Sequence, residues 1–206
     1  MKIILLGKPL SGKGTQAALL SKKLSIPHLS TGDLLREQLE KKTALGKKAK
    51  SYMDDGGLVP DSLVFSLLKK KLSLQKGFLL DGFPRDIVQA EALEKIVSVD
   101  LAIDVECSDR LIIKRTVSRR MCEKCGAIYG LDVRPRKKGI CSCGGKLFQR
   151  KDDNEKTIRK RLTVYNKESF PLISFYKKKK KYFSVSGDAP IADVQRKILR
   201  RIEKIK

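Results

Sequence analysis

The segment Gly7-Lys8-Pro9-Leu10-Ser11-Gly12-Lys13 has the G-x-x-x-x-G-K spacing of a phosphate-binding loop. Glycines let such a backbone turn tightly, so that its N–H groups point at phosphate oxygens, and a helix opening there adds a favourable dipole. Lys13 then reaches the terminal phosphates as a point charge. The alternative is an ordinary glycine-rich turn, but an apolar run precedes the segment and a helical pattern follows it. Gly14 follows the lysine, so the hydroxyl arrives one residue later than usual, at Thr15. A second constellation is Cys122, Cys125, Cys141 and Cys143, with two residues inside the first pair and one inside the second. Clustered cysteines without a secretion signal point to metal, and four thiolates suit tetrahedral zinc. Four reduced thiols, or ligation by three of them, are the alternatives. Zinc there would fold its segment rather than catalyse, since no open coordination position is implied. Cys107 stands alone on an apolar stretch and reads as a core thiol. Asp81 closes an apolar run, where a carboxylate can order Mg²⁺ through its water shell, cap a helix or pair with a cation. Asp33 is a second acid of that kind. No Ser–His–Asp or Cys–His set is present, and His28, the only histidine, reads as structural.

These groups must be carried by alternating strands and helices. Buried-strand candidates are Ile3–Leu6, Phe78–Leu80, Leu101–Val105 and Phe183–Val185, with a further short strand at His28–Ser30. Helical patterns lie at about 12–24, 31–42, 45–54, 61–74, 86–97, 108–120, 154–178 and 190–205. Strand–helix–strand repetition predicts an α/β fold whose parallel sheet is covered on both faces. From about Met121 to Asp153 the chain turns Cys-, Gly- and base-rich, which predicts a small inserted subdomain. There is neither an internal repeat nor a Gly/Ser linker that would split the chain.

A chain of 206 residues, 41% hydrophobic and 33% charged, is long enough for a full core and has a soluble globular profile. No stretch approaches the roughly 20 apolar residues of a membrane span. The opening residues lack the h-region and cleavage site of a signal peptide, which points to an intracellular protein. Lys and Arg total 46 against 23 acids, a net charge of +23. That excess suits nucleic acid, a membrane surface or phosphorylated small molecules, or simply a solvated lysine-rich surface. The run Lys177–Lys181 reads as an exposed helix end or loop before the last strand.

Further motifs narrow the choice. Lys13-Gly14-Thr15-Gln16, Ser30-Thr31-Gly32-Asp33-Leu34-Leu35-Arg36, Gly57-Leu58-Val59-Pro60-Asp61 and Asp81-Gly82-Phe83-Pro84-Arg85 followed by Gln89 resemble segments of the adenylate kinases. Arg115, Arg119, Arg150-Lys151-Asp152-Asp153 through Arg161, and Gly187 to Pro190 extend the resemblance over essentially the whole chain. One departure is Leu10, where that family usually carries a glycine able to take positive φ freely.

The resemblance implies a P-loop NTPase-type parallel sheet of about five strands flanked by helices. One kinase domain, 1–206, would include an AMP-binding arm at 30–59 and a lid insert at 118–153. The implied reaction is reversible, Mg²⁺-dependent phosphoryl transfer from ATP to AMP, giving two ADP and serving adenine nucleotide homeostasis. ATP would be held by Leu10, Ser11, Gly12, Lys13, Gly14 and Thr15, by Arg115 and Arg119, and by Ile128, Tyr129 and Ala189. AMP would be held by Thr31, Arg36, Gly57, Leu58, Val59, Gly82, Phe83, Pro84, Arg85 and Gln89, with Arg150 and Arg161. Lys13, Arg85, Arg119, Arg150 and Arg161 would act on the transferring group, where planar guanidinium forks suit phosphate. Gln89 offers both a donor and an acceptor to a purine edge. Ile128 and Tyr129 read equally as packing inside the lid. The implied cofactors are Mg²⁺ with ATP through Asp81, and structural zinc on Cys122, Cys125, Cys141 and Cys143. The implied state is a cytoplasmic monomer with nucleotide partners and no membrane or nucleic-acid role. Two other readings stand beside this one: a P-loop kinase for UMP or CMP, and a basic zinc-ribbon protein that binds nucleic acid. The second leaves the Asp81–Arg85 motif and the paired arginines unexplained.

Overall fold

In the computed structural model, which describes residues 1–73 and 75–205, the apolar runs pair side by side. Along the chain the strands are β1 (Lys2–Leu6), β2 (His28–Ser30), β3 (Phe78–Asp81), β4 (Leu101–Glu106), β5 (Arg120–Cys122), β6 (Ile128–Tyr129), β7 (Leu147–Phe148) and β8 (Tyr182–Ser186). The helices are α1 (Lys13–Leu24), α2 (Thr31–Glu40), α3 (Ala44–Asp55), α4 (Asp61–Ser73), α5 (Ile87–Ile96), α6 (Asp109–Ser118), α7 (Glu155–Val164), α8 (Pro171–Lys178) and α9 (Ile191–Glu203). The main sheet has the order β2-β3-β1-β4-β8 and is parallel throughout. This is the α/β architecture expected from the alternating pattern, with five strands.

Successive residues of a strand face opposite sides, and the core divides accordingly. Ile4, Leu6, Phe78, Leu80 and Ala102 pack with Leu35, Leu68, Leu93, Leu172 and Tyr176 from one helical layer. Ile3, Leu5, Leu79, Leu101 and Ile103 pack with Ala17, Leu20, Val194, Ile198 and Ile202 from the other. Burial on both faces is why these strands read as unbroken apolar runs rather than alternating ones. Side-chain caps fix several helix starts: Ser30 for α2, Thr43 for α3, Asp86 for α5 and Asn154 for α7. Gly56 ends α3 at φ 77°, a left-handed stop that glycine adopts freely.

Two sequence expectations need adjustment. The helix expected at 154–178 is three pieces, because Pro171 has no N–H to give and its ring would meet a carbonyl one turn back. The chain widens instead into a π-helical turn at Tyr165–Ser169, and the Phe170 N–H donates to the Tyr165 carbonyl, five residues back, at 2.9 Å. The helix expected at 108–120 stops at Ser118, since Arg119 turns extended and Arg120 opens β5. The end of the helix expected at 61–74 runs past Ser73 onto residue 74, which lies outside the described residues.

Between α6 and α7 a separate three-stranded antiparallel sheet forms, in the order β6-β5-β7. Lys177 and Lys178 end α8, and Lys179 and Lys180 are exposed in the turn that follows. Lys181 is tied down, donating to Ser98 Oγ at 3.0 Å and to Glu94 Oε2 at 3.3 Å. Among the described residues, no helix is long and apolar enough to cross a membrane.

Candidate active site

A cleft of about 990 Å³ opens where the loops after β1, β3 and β8 meet, at the carboxyl edge of the sheet. Its wall includes Leu10 to Thr15, Asp81, Gly82, Pro84, Ile128, Tyr129 and Ala189. Arg36, Arg85, Arg115, Arg119, Arg150 and Arg161 line it as well. A recess of about 40 Å³ is lined by Thr31, Gly57, Leu58, Val59, Phe83 and Gln89, and shares Gly82, Arg85 and Arg161 with the cleft. Every nucleotide-site residue singled out in the sequence therefore lies on one of two contiguous surfaces.

The loop after β1 owes its shape to three left-handed residues. Gly7 sits at φ 131°, and a Cβ there would fall 2.5 Å from the Val105 carbonyl oxygen. Gly12 caps α1 at φ 104°. Leu10 takes φ 61°, so the chain adopts the positive angle that leucine disfavours. Its side chain packs on the cluster of Cys107, Ile112, Ile158 and Leu162, contributed by α6, α7 and the residue after β4. That apolar contact offsets the backbone strain. Lys13 Nζ donates to the Lys8 carbonyl at 2.9 Å. Burial holds the Lys13 ammonium down to about 8; Asp81 pulls it up, and Arg85, Arg119 and Arg161 push it further down.

The arginines are held by acids that sequence reasoning had not paired with them. Arg36 meets Asp33 at 2.5 Å, and Arg150 reaches the same Asp33 oxygen at 3.5 Å. Arg161 pairs with Asp152 at 2.6 Å. Arg119 grips Asp153 with two bonds, Nε to Oδ2 at 2.8 Å and Nη2 to Oδ1. Burial raises Asp33 and Asp152, but Arg36 in the first case and Arg161 in the second outweigh it and hold both carboxyls below their usual range. Arg85 and Arg150 are each lowered to about 10, first by burial and then by neighbouring guanidinium groups. Arg115 donates to Ser11 O at 3.2 Å and to Gly187 O at 3.0 Å, and its Nε meets Asp132 at 3.0 Å. It thus joins the phosphate loop, the loop after β8 and the segment after β6. Asp33 thus faces two guanidinium groups, whereas no arginine pairs with Asp81 among the described residues.

Asp81 ends β3, nearly buried, with one oxygen 3.7 Å from His28 Nε2 and the other, Oδ1, without a partner. A buried carboxylate oxygen without a partner, on an acid that acts on Lys13, fits the water shell of a Mg²⁺ ion. Thr31 Oγ1 donates to Gly82 O at 2.8 Å, and Arg85 Nε to the same carbonyl at 2.9 Å. Ser169, from the π-helical turn, donates to Arg85 O at 2.6 Å, and Tyr165 of the same turn also lines the cleft. Neither stood out in the sequence; Pro171 was the one signal that this helix is interrupted.

The four cysteines gather at one end of the small sheet, with all ligand atoms within 4.8 Å of one another. Sγ–Sγ distances are 3.5 Å for Cys122–Cys143, 3.6 Å for Cys125–Cys141 and 3.4 Å for Cys143–Cys125. A tetrahedron with Zn–S bonds of about 2.3 Å has edges of about 3.8 Å, so the set fits zinc. The one-residue spacer is accommodated by a tight turn, in which the Gly144 N–H donates to Cys141 O at 2.9 Å. The Cys143 backbone and then the Tyr129 hydroxyl hold Cys141 below the ordinary thiol range, while Cys125 is raised above it, so the cluster shares its protons unevenly. Tyr129 is buried against Cys122 and Cys141 and also lines the cleft. Cys107 is a buried thiol pushed up to about 12 by burial.

The sequence profile of the adenylate kinase family matches residues 5–181. An adenylate kinase of Caldicellulosiruptor bescii is 49% identical, over 98% of this chain and 99% of its own length. Those of Methanocella arvoryzae and Archaeoglobus fulgidus are 47% and 46% identical over the full length of both chains. With that likeness running through the phosphate loop, the arginine-lined cleft and the cysteine cluster alike, the chain belongs to the adenylate kinase family.

Proposed function

We propose that the chain transfers the terminal phosphoryl group of ATP reversibly to AMP, giving two ADP. The observation that carries this reading is a cleft lined by the phosphate loop and by the cations Lys13, Arg85, Arg119, Arg150 and Arg161, adjoining an amide-bearing recess that shares Gly82, Arg85 and Arg161 with it. Phosphoryl transfer needs positioning and charge neutralisation more than covalent chemistry.

Backbone N–H groups of Leu10 to Thr15 and the Lys13 ammonium would hold the ATP phosphates. Arg36 and Arg85 would hold the AMP phosphate, with Thr31, Gly57, Leu58, Val59 and Gln89 around the base and Gly82, Phe83 and Pro84 shaping the wall. Arg119, Arg150 and Arg161 would neutralise charge on the moving group, and Arg115, Ile128, Tyr129 and Ala189 would border the ATP side. Asp81 would hold the water shell of Mg²⁺, which with ATP would supply charge neutralisation to the phosphates. The segments 30–59 and 118–153 would close as arm and lid, excluding water from the transfer. Cys122, Cys125, Cys141 and Cys143 would hold a structural zinc ion that folds the lid. The reading is of a cytoplasmic, monomeric enzyme. No observation favours the nucleic-acid alternative, whose unexplained arginines face the cleft.

The test is ADP formation from ATP and Mg²⁺ with AMP, UMP, CMP and GMP offered separately. Turnover confined to AMP is expected. Preference for another monophosphate would overturn the acceptor assignment.

A further inference from the structure

Gln89 is buried, at 2% exposure, in the first turn of α5 and faces the recess. Its amide is not free. Oε1 accepts from the Arg85 N–H at 2.8 Å, and Nε2 donates to Asp61 Oδ1 at 2.6 Å. The two partners differ in kind. A backbone N–H can only donate, and an ionised carboxylate can only accept. Turning the amide over would set NH₂ against N–H and carbonyl oxygen against carboxylate, leaving buried groups unsatisfied at both ends.

We propose that Asp61 is a specificity-determining positioning residue: it locks the Gln89 amide in one orientation, and so makes the recess read a 6-amino purine and reject a 6-oxo purine. This rests on the acceptor-site reading above. An amide has two N–H donors and two lone pairs, and the lock uses one of each. One N–H and one lone pair remain for a base. Adenine offers N1 as acceptor and its 6-amino group as donor, which the remaining pair satisfies. Hypoxanthine has the same size and shape but offers N1–H as donor and O6 as acceptor. To bind it equally well the amide must turn over, which Asp61 and the Arg85 N–H oppose. A lone glutamine would accept either base by flipping; the lock supplies the discrimination. A site that hydrogen-bonds one edge rejects its mismatch strongly because buried polar groups are then left unpaired.

The experiment compares kcat/KM for AMP and for IMP in the full chain, in Asp61→Asn and in Gln89→Ala, at saturating ATP and Mg²⁺. Asparagine is nearly the same size but can turn its own amide to donate, so it bonds Gln89 in either orientation. The IMP:AMP ratio of kcat/KM is expected to rise about ten-fold in Asp61→Asn, the scale of one buried hydrogen bond regained. Asp61→Ser, whose hydroxyl both donates and accepts, is the second variant should the first fold poorly, and it should move the ratio in the same direction. A merely structural role would alter both acceptors together and leave the ratio alone. If the ratio is unchanged in both Asp61 variants while Gln89→Ala lowers kcat/KM for AMP, the acceptor site stands and the lock is wrong. If Gln89→Ala leaves AMP turnover intact, the acceptor-site reading itself fails, and the lock with it.

Discussion

Replacing Lys13 by methionine should stabilise the nucleotide-free protein while destroying its activity. The ammonium sits among Arg85, Arg119 and Arg161 and donates to the Lys8 carbonyl, and burial holds it at about 8 against an ordinary 10.5. That gap corresponds to about 3 kcal/mol of unfavourable charge burial. Lys13 still opens onto the cleft, so water screening trims this to about 1–2 kcal/mol. Methionine keeps the unbranched stem and drops the charge. The cost of the charge is present in full below about pH 8, where the folded chain must carry a buried ammonium. It shrinks as the pH climbs from about 8 to 10.5, because the folded lysine is then neutral while the unfolded one still binds a proton. Wild-type stability therefore rises through that window, and the advantage of Lys13→Met fades. Urea unfolding of both proteins at pH 7, 9 and 10 without nucleotide measures the difference, in which all other titrations cancel. At pH 7 the variant should be about 1–2 kcal/mol more stable, seen as a higher urea midpoint, and at pH 10 most of that gain should be gone. Turnover should fall roughly 100-fold or more. A variant no more stable than wild type at pH 7, or a gain that persists unchanged at pH 10, would refute the claim that the loop cation is electrostatically strained.

Leu10 supports a contrast between two small substitutions. Leu10→Ala loses the packing on Ile112 and Ile158 but keeps a Cβ at φ 61°, whereas Leu10→Gly loses the packing and relieves the backbone. The glycine variant should be the more stable of the two by about 1 kcal/mol, the reverse of the usual ranking, as chemical denaturation would reveal. Chelating zinc, or making Cys143→Ser, should lower the unfolding midpoint and open residues 118–153 to protease while the five-stranded core stays intact. Elemental analysis should find about one zinc per chain in the wild type and far less in the variant.

The main sheet was legible because both its faces are buried. Ile3–Leu6, Phe78–Leu80 and Leu101–Val105 had to be continuous apolar runs, and no exposed face blurred them. The phosphate loop was legible because Gly7, Gly12 and Lys13 form a local motif whose geometry depends on residues a few positions apart. Partnerships across the chain were not. Asp33 with Arg150 spans 117 residues and Arg119 with Asp153 spans 34, and no spacing rule announces such pairs. The π-helical turn was missed for a related reason. Residues 154–178 keep a helical period, and the widening at Tyr165–Ser169 shows only in the hydrogen bonds. Leu10 was legible as a departure but not in its consequence, since the compensating contacts with Ile112, Ile158 and Leu162 come from helices about 100 and about 150 residues away.

The paired acids explain how so many cations coexist around one cleft before any phosphate arrives. Arg36, Arg119, Arg150 and Arg161 would repel one another if left bare, and such repulsion adds to burial in lowering the proton affinity of Arg85 and Arg150. Asp33, Asp152 and Asp153 hold the guanidinium groups in place at short range, so the arginines are oriented without being neutralised as completely as a polyphosphate would neutralise them. Asp33 and Asp153 also differ in their surroundings. The side chain of Asp153 is almost wholly buried, at 1% exposure, whereas that of Asp33 is 58% exposed. Coulomb attraction is weakened where water reaches the pair, so Asp33 releases its partners more readily than Asp153 does. Arg36 and Arg150 are therefore the arginines held less firmly when an anion enters, while Arg119, directly before β5, stays fixed to Asp153. The division leaves yielding charge at Arg36 and Arg150 and a rigid charge at Arg119, close enough to Lys13 to lower its proton affinity. Preorganised charge is most effective next to the group in transfer, and adaptable charge is tolerable where a substrate is only gripped.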